Sequence, residues 1–177
     1  MKNPALFFVI SVISLTSVFA RQTEIKDSIV FLAMEKIYPL SGKWIGNGWI
    51  QMGRDKRTFT QTENVVQKAN GTVILIDGLG VDEITKNPIH EAFAVISYDL
   101  SAKKYLIRAF LANGKYVDAD IRVEPDGTII WGYKHPQAGE IRYSIKVKND
   151  KWEEIGEMNR DGNNWIPFFQ MNLQKYK

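Results

Sequence analysis

Two stretches in the second half of the chain alternate strictly between apolar and polar residues. Val117, Ala119, Ile121 and Val123 fall on one side against Asp118, Asp120, Arg122 and Glu124, and Ile141, Tyr143, Ile145 and Val147 repeat the pattern against Arg142, Ser144, Lys146 and Lys148. That period of two marks strands with one dry face and one wet face. Near the N-terminus the period changes. Between Glu24 and Tyr38, Ile25, Ile29, Leu32 and Ile37 fall near helical spacing, with Thr23 placed as N-cap and Pro39 ending the run. One amphipathic helix is predicted there.

Turn signals divide the remainder regularly: the break at Gly53 to Lys56, then Asn70-Gly71, Asn87-Pro88, Asp99 to Lys103, Asn113-Gly114, Pro125 to Gly127, His135 to Gly139, Asn149-Asp150, and Arg160 to Asn163. They leave about ten strands, with no gap long enough for a crossover helix, so neighbours in sequence should pair antiparallel. A single helix cannot cover both faces of so large a sheet, whereas closure hides one face and removes the edges. The predicted fold is therefore all-β, a closed up-and-down antiparallel barrel of about ten strands with one N-terminal helix. Side chains only partly fill the interior of such a barrel, so a cavity is expected. Pro167, inside the last strand, predicts a bulge because it cannot donate to the ladder.

Composition adds location. In residues 1–20 Lys2 is the only charge, and an apolar run from Ala5 through Leu15 leads to Ser17, Val18, Phe19 and Ala20. This reads as a signal peptide cleaved after Ala20, because the apolar run is shorter than the ~20 residues a membrane span needs. The mature protein is expected to be exported, periplasmic or secreted, with no stable membrane span. The division of the chain is then 1–20 signal, 21–39 helix and 40–177 barrel.

Absence of cysteine excludes disulfides, thiolate metal sites and a cysteine nucleophile. Removing Lys2 lowers the formal net charge from +3 to +2, and no basic run exceeds Lys103-Lys104, so nucleic acid is not an expected partner.

The stretch LSGKWIGNGW carries a resemblance. Gly42 and Trp44 match the G-x-W with which lipocalins open their first strand, and Gly42, Trp44, Gly46 and Gly48 together resemble the G-x-W-x-G-x-G of nitrobindin-type barrels. Trp152-Glu153-Glu154, Gly156-Glu157 and Trp165 to Phe168 are similar to the last two strands of a lipocalin-like family of bacterial secreted proteins. The resemblance covers about residues 38 to 176. It implies that Gly42, Trp44 and Lys175 close one end of the barrel, the lysine lying over the indole. Nitrobindins hold haem through a histidine on one of the last strands, but residues 170–173 offer Gln170, Met171, Asn172 and Leu173, and Met171 is a poor substitute. His90, at a strand start after Pro88, and His135, in a turn, read as loop residues. No haem and no metal are therefore expected.

Polar residues that share parity with apolar neighbours are the candidates for an interior site. Gln61 and Glu63 share it with Phe59 and Val65, Glu154 with Trp152 and Met158, and Arg108 with Leu106 and Phe110. An inward charge must be paired or solvated, so Arg108 is expected either to pair with Glu63 or Glu154 or to clamp an anionic ligand. Trp131, Tyr133, Tyr143 and Trp152 would add aromatic wall, and Trp44 would plug the end. Hydrolase motifs are missing. The functional expectation is an exported protein that holds a small apolar or amphiphilic ligand inside its barrel. The alternatives are a metal-free isomerase or cyclase of the same fold, and a filled barrel with a protein-interaction role.

Overall fold

The computed structural model describes residues 28–176; the expected signal peptide at 1–20 and the first turn of the expected helix lie outside the described residues. Helix α1 covers 28–34 and leads through a turn to a 3-10 turn at Tyr38–Leu40. Ten strands follow: β1 (Gly42–Met52), β2 (Asp55–Lys68), β3 (Val73–Asp82), β4 (Pro88–Asp99), β5 (Lys104–Leu111), β6 (Tyr116–Val123), β7 (Ile129–His135), β8 (Gly139–Lys148), β9 (Lys151–Asn159) and β10 (Ile166–Tyr176). Each strand pairs antiparallel with its sequence neighbours, and β1 closes on β10. The turns fall where the sequence marks them; Asn149 and Asp150, at φ 53° and 57°, are a two-residue link between β8 and β9. The β9–β10 register slips between Pro167 and Phe169, which is the bulge that the missing proline N–H requires.

Closure explains the glycines around Trp44. A Cβ on Gly46 would lie 2.0 Å from the Asn172 carbonyl oxygen, so β1 can approach β10 this closely only without a side chain there. Gly42 adopts φ +129°, and its missing Cβ leaves room for the stem of Lys175. Between them the Trp44 indole is fully buried, and its Nε1 donates to the Leu40 carbonyl at 2.8 Å. Trp152 meets it edge-on with centroids 5.6 Å apart, and Lys175 Nζ lies 5.0 Å from the ring centroid.

The N-terminal segment covers this same end. Met34, Ile37 and Leu40 are fully buried, and Tyr105 of β5 donates its hydroxyl to the Ala33 carbonyl at 2.6 Å. The helical face is rotated from the one the spacing suggests. Ile29 and Leu32 are exposed, while Val30, Ala33, Met34 and Ile37 pack inward. Apolar residues occupy both sides of this segment, and the barrel end selects between them.

The β6–β7 ladder is the weak seam. Only Ile121, Arg122 and Val123 pair across it, with Trp131, Ile130 and Ile129, so the strands separate from Asp120 and Gly132 onward. Among the described residues, no helix is long and apolar enough to cross a membrane.

Candidate functional site

Alternation along β2 turns Phe59, Gln61, Glu63 and Val65 into the barrel. Two of these are polar, and the register places glycine opposite each: Gly80 beside Gln61 and Gly78 beside Glu63. A Cβ on Gly78 would lie 2.5 Å from Glu63 Oε2, and one on Gly80 would lie 2.5 Å from Gln61 Oε1. The acid and the amide thus lie against bare β3 backbone, in space that alternate glycines provide.

A short polar chain results. Gln61 Nε2 donates to Glu63 Oε1 at 2.7 Å, and Gln61 Oε1 lies 3.3 Å from His90 Nδ1. With the amide nitrogen committed to Glu63, its oxygen accepts, so His90 carries its proton on Nδ1 and leaves Nε2 as an acceptor. The ring packs near Phe59 and Phe169, at 5.9 and 5.0 Å between centroids. Burial lowers the His90 pKa to about 4, which makes the imidazole neutral at pH 7.

Glu154 of β9 is the second interior acid; its Oε2 accepts from Trp152 Nε1 at 3.1 Å. Burial raises its pKa to about 7, against the opposing effect of that bond. Glu63 rises further, to about 8, through burial first and the charge of Glu154 second, with a smaller contribution from Asp77; the bond from Gln61 acts in the opposite direction. Both acids are buried, at 4% and 8% exposure. Glu63 Oε2 has no hydrogen-bond partner among the described residues. Such a group costs free energy wherever it stays unmatched.

Glu63, His90, Trp152 and Glu154 line an interior cavity of about 100 Å³ whose other walls are largely apolar: Ala92, Ala94, Ile96, Ile107, Ala109, Ile121 and Ile129, with Trp131, Tyr133 and Tyr143. Trp131 and Tyr143 stack with centroids 4.5 Å apart, and burial raises the Tyr143 hydroxyl pKa further above its already high value. Phe59, Phe169, Trp44 and Trp152, all nearly or fully buried, fill much of the remaining interior. The free space is therefore smaller than the ~150 Å³ that accommodates benzene in an engineered apolar cavity.

Of the expected site residues, the structure brings Glu63, Trp131, Tyr133, Tyr143, Trp152 and Glu154 together on the cavity wall. Gln61 stands behind Glu63 as its donor, and Trp44 lies at the closed end with Gly42 and Lys175. Arg108 is a correction. It is on the outer face of β5, where Nε and Nη2 form a bidentate pair with Asp118 at 2.6 and 2.7 Å, and its guanidinium lies over Tyr116. Its parity partners Leu106 and Phe110 face outward with it, because β5 is apolar on both sides and Tyr105, Ile107 and Ala109 are the buried set. No ion pair joins Arg108 to Glu63 or Glu154.

His90 is the residue that sequence reasoning missed. The sequence places it at a strand start after Pro88, as the structure does, but groups it with the loop histidines; it is the third residue of β4 and its ring enters the barrel. The available signal was the alternation of His90, Ala92, Ala94 and Ile96, together with Gly78 and Gly80 across from two polar residues. A larger open groove of about 1080 Å³ runs outside along β4, β5 and β6, past Arg108 and Asp118. Its charged groups already pair with one another, whereas the interior has an unmatched one. Among the described residues no three His, Cys, Asp or Glu side chains converge as a metal site.

No protein-family model matches the chain, and no curated protein matches it in sequence. Solved structures match its fold. Rv2717c from M. tuberculosis superposes with a TM-score of 0.61 at 12% identity, covering 82% of this chain and 98% of that one. The S-type phycobiliprotein lyase CPES from Guillardia theta gives 0.59 at 11% identity, covering 81% and 92%. Identities this low establish the fold alone, a lipocalin-like barrel.

Proposed function

We propose that this barrel is an exported binding protein that holds a small amphiphilic molecule in its interior, apolar body against the alanine and isoleucine wall and polar head at Glu63. The observation that carries the reading is the unmatched Oε2 of Glu63, a buried acid on the wall of a largely apolar cavity. A ligand group that hydrogen-bonds there removes a penalty the empty protein bears. The segment 1–20, with its single lysine and apolar run, supports export. The phycobiliprotein lyase shows the same architecture in a protein whose name is that of an enzyme.

The reading takes no haem. His90 has the buried ring and the held Nδ1 that ligation requires, but a cavity of about 100 Å³ is small beside the ~300–1,000 Å³ of typical ligand pockets. A second reading, a metal-free isomerase or cyclase, draws on the two carboxylates whose pKa values are raised to about 8 and about 7. It requires that a bound molecule leave the protein chemically changed.

Methyl NMR tests the binding reading with three probes of one size, n-butanol, n-butylammonium and butyrate. At least one is expected to shift the Ala92, Ala94 and Ala109 methyls saturably while the exposed Ala102 stays still. In Gly78→Ala the new Cβ pushes the Glu63 carboxylate out of its place, and affinity should fall by about tenfold or more. Silence of the inner methyls with all three probes would leave a filled barrel with an interaction role.

A further inference from the structure

Resting on that reading of the cavity, we infer that the head group it takes is a primary ammonium, so that the ligand class is a short aliphatic amine. Glu63 and Glu154 are both inside, and the cavity wall includes neither lysine nor arginine. Basic residues of the surrounding strands are placed elsewhere: Arg57 pairs with Asp82 at 2.7 Å, Lys175 lies over Trp44 at the closed end, Arg108 is outside, and Lys43 is exposed on an outer groove that Glu63 also borders. An anionic head group would stand beside two acids with no counter-charge and would oppose the ionisation of both. A cationic one supplies the charge that the two acids lack.

The hydrogen-bonding inventory agrees. Glu63 Oε2 is unmatched, and Glu154 offers its second oxygen beside the one bonded to Trp152. His90 adds an acceptor at Nε2. A primary ammonium has three donors and no acceptor, which is the complement of this set. Trp131 and Tyr143 bring aromatic faces to the same cavity, and a desolvated cation is attracted to such faces. Space limits the substituents. About 100 Å³ admits a chain or ring of a few carbons, and a quaternary nitrogen would offer no N–H to the unmatched oxygen.

Binding also moves a proton. The groups that act on Glu63 are Gln61 on its own strand, Asp77 on β3, His90 on β4 through Gln61, and Glu154 on β9. In the empty barrel burial keeps Glu63 protonated at pH 7. An arriving ammonium favours the carboxylate, and the displaced proton leaves to solvent, so affinity rises with pH until Glu63 is ionised in the free protein.

The test compares the same three probes by calorimetry at pH 7, in two buffers of different ionisation enthalpy, with methyl NMR as the site readout. n-Butylammonium should bind at least about tenfold tighter than n-butanol, with butyrate the weakest. Proton release should accompany butylammonium only and should diminish by pH 9. In Glu63→Gln the ammonium preference should collapse to about threefold or less while butanol still shifts the inner methyls. Equal or tighter binding of butanol or butyrate overturns the ammonium inference and leaves the interior site standing. So does an ammonium preference that survives in Glu63→Gln. Failure of all three probes removes the site itself.

Discussion

Replacing Trp44 with alanine is expected to destabilise the protein by about 3–5 kcal/mol, the usual cost of emptying a fully buried aromatic site. Three losses combine. The indole is completely inaccessible, so its whole apolar surface leaves the core. Its Nε1 holds the buried Leu40 carbonyl at 2.8 Å, which tightens the turn that carries Leu40 and Ile37 against the barrel end. It also forms the edge-on contact with Trp152 and the platform for Lys175. Domains of this size have total stabilities of about 5–15 kcal/mol, so the change removes a large share of the total. Urea denaturation followed by tryptophan fluorescence measures it, with Lys175→Met as the comparison, expected to cost about 1 kcal/mol or less. A Trp44→Ala loss below about 1.5 kcal/mol would mean that the segment before β1, and not the indole, closes this end.

The second large effect is a loss of stability as pH rises through neutrality. Glu63 and Glu154 have folded pKa values raised to about 8 and about 7, above the 4.5 of an ordinary glutamate. The folded state therefore binds more protons than the unfolded chain between those limits. Their contribution is complete below pH 4.5 and declines as pH rises through 7 and 8. His90 acts in the opposite sense. Its folded pKa of about 4 lies below the free value of 6.5, so its contribution is lost as pH falls through that interval and is constant above it. Above pH 6.5 the carboxylates alone remain, and the ligand-free protein should lose about 2–3 kcal/mol between pH 6.5 and pH 9. The Glu63→Gln, Glu154→Gln double variant should be flat across that window to within about 0.5 kcal/mol. Chemical denaturation at several pH values reads the slopes, which remain informative whatever the absolute stability of the variant. A wild-type slope as flat as that of the double variant would show both acids to be ordinary and solvated.

The barrel was legible because the turns and the alternation say the same thing. Asn149-Asp150 and Pro125 to Gly127 mark turns that the alternating strands β6 and β8 confirm from either side, and Pro167 marks its own bulge. Glu63 and Glu154 were legible as polar residues in apolar parity. What alternation does not show is a face, where both faces are apolar. On β5, Leu106 and Phe110 suggest an inward set that includes Arg108, but the barrel buries Tyr105, Ile107 and Ala109 instead. That single reversal changes the chemistry of the site, because it removes the only arginine expected beside the two acids. The helix fails to reveal its face for the same reason, with Leu32 outside and Met34 inside. Cavity size is a sum over side chains from every strand. Phe59 and Phe169 stack inside from β2 and β10, Trp152 of β9 meets Trp44 of β1, and these contacts follow from closure and register, not from any one segment. His90 was hidden by the proline two residues before it, which opens the strand and does not exclude it.

Native mass spectrometry of the mature protein from its own host, with the bound material extracted and its visible spectrum recorded, tests the binding account most directly. A small amine should co-purify with the wild-type protein and be absent from Glu63→Gln prepared in the same way, with no Soret band from either. A mature protein that carries no small molecule, or one that carries haem, would contradict that account.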